Sequence, residues 1–337
     1  MSTDTLTVIP PEEMERAYLE YRRSCYLALH RHAAQRGLLK ALDVPTSLTQ
    51  LSDRMAFAPS QRHTLKLLLR ALTIAGSVTT IDENGQVFIA AEPNDAPLDQ
   101  QRIVTAIGAE ALEDLIHGDS YPGIIDTLFD GQNRVAAAFI ADNLPLWEEF
   151  LSTPFYRYNR LKAVERIAPA GSIVADIACG PGFGLAELAD RTTVTGTVHG
   201  FEISPDFAAE AIRRTAHLPH VVVTRCDVDG SGLAFLGDNL LDGAMMVGAF
   251  HFLTDPDGFL KQLHRVLRPG APVSLSYAYM KRGSYDQALT DLRFSLREPT
   301  PYPRDERSMV ELVSRNGFTL ESSYPMGCYQ SFVFQTT

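Results

Sequence analysis

The sequence predicts an α/β protein, with a mostly parallel sheet in its C-terminal half and a mainly helical domain before it. From about residue 170, short apolar runs such as SIVADIA, HVVVTRC and APVSLSYAY alternate with helical stretches such as FGLAELAD. This alternation is typical of a parallel sheet built from βαβ units. Before residue 170, apolar residues recur mostly at helical spacing.

Composition limits the kinds of function that the chain can have. With 337 residues it suits two domains, and 45% hydrophobic with 21% charged residues is the composition of a globular protein with a real core. Lys and Arg total 30 against 41 for Asp and Glu, a formal charge of −11. This acidic balance argues against nucleic acid as a partner, because a phosphate backbone attracts positive charge.

Cysteine usage and the N-terminus indicate a cellular compartment. The four cysteines are scattered without CxxC spacing, which predicts reduced thiols rather than a disulfide framework or a zinc site. The chain starts without a basic and apolar leader, and it has no apolar run long enough to cross a membrane. We therefore expect a cytoplasmic protein that does not bind membranes.

Residues 1–98 are predicted to form a winged-helix-like domain. Helical periodicity over about residues 12–42 is followed by two capped helices, LTQLSDRMAF and QRHTLKLLLRALTIAG. The runs SVTTID and QVFIA then flank the turn Glu83-Asn84-Gly85, which predicts a hairpin. Since the second helix carries few basic residues, dimerisation is favoured over DNA binding. A winged-helix regulator with a ligand-binding sheet remains an alternative.

Two further regions complete the predicted organisation. Residues 99–166 have helical periodicity broken by glycines, which predicts a helical linker that contributes to a substrate pocket. Residues 167–337 contain the alternating strands and helices and are predicted to form the sheet domain.

A glycine-rich turn follows the first predicted strand of the sheet domain. SIVADIA leads directly into Cys179-Gly180-Pro181-Gly182-Phe183-Gly184, at the sheet edge where doubly wound folds bind ligands. Glu202 lies about twenty residues further on, at the distance where an acid can hold ribose hydroxyls. Asp176 can stiffen the turn. Leu185 stands where a dinucleotide-binding turn has its third glycine, which argues against a nicotinamide cofactor.

These residues resemble a known family. DIACGPG is similar to the first motif of class I S-adenosylmethionine (SAM)-dependent methyltransferases, and Cys226-Asp227-Val228 resembles the adenine-contacting segment of that family. LLDGAMMVGAFHFLTDP and FLKQLHRVLRPGAPVSLSY resemble the segments that follow. The winged helix and RDERSMVELVSRNGFTL narrow the resemblance to caffeate-type and bacterial natural-product O-methyltransferases.

The resemblance implies a Rossmann-like fold, SAM as cofactor, a small-molecule acceptor, a role in secondary metabolism and a homodimer. No metal is expected, because few histidines are placed to share one. The cofactor-binding residues that it implies are Asp176, Ala178, Gly180, Gly182, Glu202, Ile203, Cys226, Asp227, Val228 and Gly248.

The resemblance also indicates a catalytic base. Methyl transfer from a sulfonium is an in-line displacement, so a hydroxyl acceptor needs a group that takes its proton. The family has a histidine after its fourth strand, here His251, and Glu306 corresponds to an acid that orients it. O-methylation is therefore favoured.

Cys179 stands where many relatives have glycine, and three further positions depart from the O-methyltransferase pattern near the predicted base. Tyr277 stands in place of an acid after the fifth strand, and Phe252 and Leu253 follow His251 in place of an acid and a tryptophan. Carbon and nitrogen methylation consequently stay open, as does a SAM-binding relative that catalyses another reaction.

Aromatic residues before the first strand of the predicted sheet, beside the predicted base and at the end of the fifth strand suggest an apolar acceptor pocket, although such residues also form cores. The predicted pocket residues are Phe155, Tyr156, Tyr158, Asn159, Phe252 and Tyr277.

Overall fold

The computed structural model describes residues 9–81, 87–93, 97–108, 125–126, 128–129, 142, 144–167, 169, 171–278, 288, 291–292, 305–326 and 329–337. The side chains at 146, 277, 278, 326 and 329 lie outside this description. The chain divides into two compact units. Unit 1 comprises Met1–Phe129 with Thr153–Phe155, and unit 2 comprises Asp130–Ser152 with Tyr156–Thr337.

Unit 1 contains four described α-helices, and the predicted N-terminal helices are among them. Their bounds are α1 Pro11–Gln35, α2 Leu48–Arg54, α3 Arg62–Ile74 and α4 Gln100–Ile107. Helix α1 begins with a proline and carries Glu12 and Glu13 in its first turn, where negative charge favours the helix dipole. Helix α2 begins with a capping box, in which Ser47 accepts from the Gln50 N–H and Gln50 accepts from the Ser47 N–H.

A small antiparallel sheet accompanies these helices. Its strands are β1 Thr46–Ser47, β2 Val78–Thr80 and β3 Val87–Ala90, in the order β1-β3-β2. Strands β2 and β3 match the predicted hairpin, whose turn Glu83-Asn84-Gly85 lies outside the described residues. Strand β1 was not predicted, because two residues are too few for an alternating pattern to be visible.

The structure divides the predicted linker, residues 99–166, between the two units. Helix α4 packs against α1 and buries Ile103, Ala106 and Ile107, so unit 1 extends past the predicted boundary at residue 98. The physical reason is that the apolar face of α4 needs a partner surface, and α1 supplies it.

Unit 2 contains a seven-stranded sheet and α-helices that precede its strands or connect them. Its helices are α5 Leu144–Ser152, α6 Pro154–Ile167 (whose first two residues belong to unit 1), α7 Phe183–Thr192, α8 Pro205–Thr215, α9 Pro256–Val266 and α10 Glu306–Ser314. Its strands are β4 Ile173–Ile177, β5 Thr197–Glu202, β6 Val221–Arg225, β7 Gly243–Val247, β8 Pro272–Ala278, β9 Phe318–Met326 and β10 Tyr329–Thr336.

The strand order of the large sheet is β6-β5-β4-β7-β8-β10-β9. Strands β6, β5, β4, β7 and β8 are parallel, and β10 is antiparallel to both of its neighbours. The Rossmann-like, mostly parallel sheet is therefore confirmed. Strands β9 and β10, the antiparallel pair at one end of the sheet, were not predicted. The sequence analysis matched their segment to the family and identified no strand pattern within it.

Apolar residues on the two faces of the sheet form two separate core clusters. Successive side chains of β4 point to opposite faces, so that Val174 packs with α6, α7 and α8 while Ala175 packs with α9 and α10. Burial of both faces explains why the central strands are almost continuously apolar. In the described part of the chain, no helix is long and apolar enough to cross a membrane.

Gly243 at the start of β7 provides a test of this packing. A Cβ there would lie 2.7 Å from the carbonyl oxygen of Ile167 and 3.3 Å from that of Pro272. We expect Gly243→Ala to lower the free energy of unfolding by about 1–3 kcal/mol, because backbone atoms must move apart. Urea unfolding followed by circular dichroism measures the change.

The matched control is Gly237→Ala, since a Cβ at Gly237 would meet no atom within 4 Å. The control should stay within about 0.5 kcal/mol of the wild type. Equal unfolding midpoints for the two variants would contradict the close packing inferred at Gly243.

Candidate active site

The turn after β4 has one closed side and one open side. Ala178, Gly180 and Gly182 have φ angles of 57°, 56° and 87°, a backbone region that glycine adopts at little cost. A Cβ at Gly182 would lie 2.9 Å from the Cα of Ala211, so the turn is packed directly on α8. A Cβ at Gly180 would meet nothing within 4 Å, which leaves space for a ligand beside the backbone.

Asp176 lies beneath the turn. A Cβ at Gly184 would come within 2.4 Å of the Asp176 Oδ2 atom, so the missing side chain allows the start of α7 to approach this carboxyl group. Asp176 is buried, and burial raises its pKa well above the usual range, against the opposing charge of Arg160. Its position is compatible with the predicted stiffening of the turn.

Glu202 connects the turn to the end of β5. Its Oε2 accepts a hydrogen bond from the Gly180 N–H at 2.9 Å, and its Oε1 accepts from the Ser204 N–H at 2.8 Å. Burial raises the pKa of Glu202, while the backbone N–H donors act in the opposite direction. Neither bond was predicted, because the sequence pattern assigned this acid only to the ligand.

The ends of β5 and β6 present an apolar side chain and an acid together. The Cys226 N–H donates to the Glu202 carbonyl at 3.0 Å, which brings the two strand ends side by side. Ile203 is 57% exposed and Asp227 is exposed, whereas Val228 is buried. Burial, with the nearby Asp227 charge, raises the pKa of Cys226 to about 11, so its thiol is neutral at physiological pH.

The predicted cofactor-binding residues therefore lie along one edge of the sheet. Gly248, with a φ of 73°, extends this edge to the end of β7, where its N–H donates to the Ser276 carbonyl. The open backbone at Gly180, the buried Glu202 carboxylate and the exposed Ile203 fit a nucleoside-containing cofactor, which needs close backbone approach, hydroxyl recognition and an apolar surface. Among the described residues, no cluster of His, Cys, Asp or Glu could hold a metal ion.

His251 lies in a short 3₁₀ helix, Phe250–Phe252, just after the end of β7. It is 6% exposed, and its ring centroid is 4.2 Å from that of Phe252. Its position after Gly248 puts it close in sequence to the proposed cofactor edge.

Glu306 is the first residue of α10 and is exposed. Its Oε1 accepts from the Ser323 hydroxyl at 2.8 Å, while the preceding Asp305 caps the helix. Among the described residues, no hydrogen bond or ion pair joins Glu306 to His251.

The predicted pocket residues have different surroundings. Phe155 is fully buried in unit 1 and stacks on Tyr18 with ring centroids 3.9 Å apart, which is a packing role. Tyr156 is buried in unit 2, and its ring centroid lies 4.1 Å from that of Phe150. The Nζ atom of Lys162 lies 5.6 Å from the ring centroid of Tyr158.

The remaining predicted pocket residues are Asn159, Phe252 and Tyr277. Asn159 is 1% exposed and Phe252 is partly buried. The side chain of Tyr277 lies outside the described residues.

An arginine network around the turn was missed by the sequence analysis. Arg214 donates through Nε to the Pro181 carbonyl at 2.8 Å, pairs with Glu148 of α5, and lies 3.8 Å from the Phe183 ring centroid. Arg160 forms a bidentate ion pair with Glu187, in which Nε donates to Oε2 at 2.9 Å and Nη2 donates to Oε1 at 3.0 Å. No local pattern reveals these contacts, because the partners are far apart in sequence.

Comparison with known proteins gives matches over the part of the chain that contains this site. Residues 174–270, from β4 to the turn before β8, match the family model described as a methyltransferase domain. The chain is 28% identical over 214 residues to 2-phytyl-1,4-naphtoquinone methyltransferase of Nostoc punctiforme, covering 58% of this chain and 90% of that protein. It is 30% identical over 138 residues to an uncharacterized 37.1 kDa transposon TN4556 protein of Streptomyces fradiae, covering 41% and 39% respectively.

Solved structures share the fold over nearly the whole chain. The DszA carbon methyltransferase has a TM-score of 0.68 at 13% identity, covering 96% of this chain and 91% of that one. The CurJ carbon methyltransferase has a TM-score of 0.65 at 16% identity, covering 97% and 92%. The mitomycin 7-O-methyltransferase MmcR has a TM-score of 0.53 at 15% identity, covering 94% of each.

Residues 174–270, which include the glycine-rich turn and the central parallel strands, therefore match a methyltransferase domain. The protein is a SAM-dependent methyltransferase.

Glu202 gives a direct test of the cofactor edge. We expect Glu202→Gln to weaken binding of S-adenosylhomocysteine, measured by calorimetry, by about 10- to 150-fold, because a charged acceptor is worth about 1.5–3 kcal/mol. Glu321→Gln, at a half-exposed position on β9, is the control and should bind like the wild type.

The same variant tests a pH dependence. Because the pKa of Glu202 is raised, its ionised form is present above that pKa and is lost as the pH falls through it. Wild-type affinity should therefore begin to fall at a higher pH than the titration of an ordinary glutamate would cause, while Glu202→Gln shows a flatter profile. Parallel profiles for both proteins would contradict this assignment.

Proposed function

We propose that the protein transfers a methyl group from SAM to a carbon atom of a small acceptor, with His251 as the general base. The observation that carries this proposal is a buried imidazole at the carboxyl end of β7, on the edge that holds the predicted cofactor residues. When bound, SAM supplies an electrophilic methyl group on a sulfonium. The chain's own task is to align the acceptor and take its proton.

The proposed base is suited to this work. A neutral imidazole accepts a proton near physiological pH, and the adjacent Phe252 ring restricts the orientation of the His251 ring. Removing a proton from an enol, a phenol or an activated carbon leaves charge shared between oxygen and carbon. The same base therefore serves a carbon nucleophile.

Two observations support carbon as the acceptor atom. Phe252 and Leu253 follow His251 where the O-methyltransferase pattern has an acid and a tryptophan. In addition, the Nostoc relative is named for a naphthoquinone substrate, and two neighbours of similar length are named carbon methyltransferases. We propose an acceptor of this chemistry, a small molecule with an enolisable or phenolic carbon.

O-methylation is the second candidate, and the position of the histidine favours it. His251 corresponds in sequence to the base of O-methyltransferases, and the fold likeness to MmcR extends over most of the chain. An orienting role for Glu306 belongs to this candidate. It would require Glu306 to exchange its bond with Ser323 for one with His251.

We further propose that unit 1 is a winged-helix-like dimerisation domain. The order of α2, α3 and the β2-β3 hairpin, with β1 added to β3, supports this interpretation. A sedimentation measurement of the molecular mass distinguishes a dimer of this 37.2 kDa chain from a monomer.

Replacement of His251 tests the base. We expect His251→Ala to lower kcat by about 100- to 10,000-fold, with little change in S-adenosylhomocysteine affinity, because only proton transfer is lost. Methyl transfer is followed by S-adenosylhomocysteine release. His217→Ala, at an exposed position after α8, is the matched control. Full turnover by His251→Ala would remove the base assignment.

The acceptor atom can be identified from the product. Incubation with SAM carrying a ¹³C-labelled methyl group and a panel of naphthols and 1,3-dicarbonyl compounds should give a methyl carbon at the chemical shift of a C–CH₃ group. Methoxy signals alone would contradict carbon transfer and support the second candidate. Neither signal with any panel member, together with no S-adenosylhomocysteine formation, would contradict the proposed acceptor class.

A further inference from the structure

The carboxylate of Asp229 ties two loops of unit 2 together. Its Oδ2 accepts from the Thr254 N–H at 2.7 Å and from the Thr254 hydroxyl, and its Oδ1 accepts from the Asp255 N–H at 2.9 Å. The Gly230 N–H donates to the same Oδ1 at 3.0 Å. One side chain thus joins the loop after β6 to the loop after β7.

The same residue also contacts the predicted cofactor edge. The Asp229 N–H donates to the Asp227 Oδ1 at 3.0 Å, and Asp227 is the predicted adenine-contacting acid. The backbone of Asp229 therefore contacts the cofactor side of the site while its side chain contacts the segment after His251.

His251 lies in a short segment, residues 248–254, that is held by hydrogen bonds at both ends. At one end, the Gly248 N–H donates to the Ser276 carbonyl in the neighbouring strand β8. At the other end, Thr254 is held by Asp229. Between them, the Phe252 N–H donates to the Ala249 carbonyl at 2.9 Å and closes the single 3₁₀ turn. Only Phe252 and Leu253 separate His251 from Thr254, which Asp229 holds.

The chemistry of the contacts requires a carboxylate at Asp229. Burial acts to raise the pKa of Asp229, but the hydrogen bonds from Thr254, Asp255 and Gly230 outweigh it and lower the pKa. An ionised carboxylate is an acceptor only and can satisfy all four donors. An amide in its place would direct N–H groups towards N–H and O–H groups.

We propose that Asp229 is a positioning residue, which holds His251 at the correct distance from the cofactor through Thr254 and Asp255. This inference rests on the proposed role of His251 as the base. Asp229 itself need not touch either substrate. Because a displacement of about 1 Å can cost about 100-fold in rate, a modest change in this loop should reduce turnover strongly.

A double-mutant cycle tests the link. We expect Asp229→Asn to lower kcat by at least about 10-fold while S-adenosylhomocysteine affinity changes by less than about 3-fold. In the His251→Ala background, Asp229→Asn should cause no further loss of kcat, because the group that it positions is absent.

Thr254 provides a milder pair of variants that avoids a folding defect. Thr254→Ser retains the hydroxyl that donates to Asp229 and should keep the wild-type kcat. Thr254→Val loses that donor but keeps the backbone N–H, so we expect a smaller fall of about 3- to 10-fold. Equal kcat values for Ser and Val at this position would overturn the link.

Asp257→Asn is the matched control for general destabilisation. Asp257 is the second residue of α9 and accepts hydrogen bonds from Arg315 and Asn316, contacts that lower its pKa to about 2. Its replacement removes charged hydrogen bonds outside the Asp229–Thr254 link. It should lower Tm and leave kcat within about 2-fold of the wild type.

The outcomes separate this inference from the proposed function. Wild-type turnover in His251→Ala would remove the base and, with it, the positioning role. If His251→Ala loses turnover but Asp229→Asn lowers kcat by the same factor in both backgrounds, the base stands and the positioning role is overturned. The positioning role is also overturned if Asp257→Asn loses as much kcat as Asp229→Asn.

Discussion

The hydrogen bond from the Gly180 N–H to the buried Glu202 carboxylate is the contact on which the site depends. It joins the turn after β4 to the end of β5, and the Cys226 N–H extends the connection to β6 through the Glu202 carbonyl. Three strand ends are thus held in one arrangement by one residue. Since burial raises the pKa of Glu202, this arrangement depends on keeping a charge where water is scarce.

The second constraint is the close approach of backbones around that carboxylate. Gly182 allows the turn to lie on α8, and Gly184 allows the start of α7 to lie on Asp176. Arg214 then binds the Pro181 carbonyl and reaches Glu148. The glycines allow close backbone packing, and the Arg214 side chain binds the turn from outside. The turn is therefore held on several sides, while the space beside Gly180 stays open.

The chemistry proposed for the site follows from its position on this scaffold. The parallel strands end together, and His251 lies four residues after the end of β7, so the proposed base and the predicted cofactor residues lie at the same edge of the sheet. Unit 1 is organised differently, with helices and a three-stranded antiparallel sheet. The fold is shared with carbon and oxygen methyltransferases alike, which is why the atom methylated has to be argued from the residues near His251.

The sequence by itself determined the α/β class, the glycine-rich turn and the positions of Glu202 and His251, because period, turn chemistry and motif spacing are local properties. Only the tertiary structure decided that α4 packs on α1, that Glu306 binds Ser323, and that Asp229 holds Thr254. Such contacts join residues far apart in the chain. Their geometry depends on how whole elements pack, which no local pattern records.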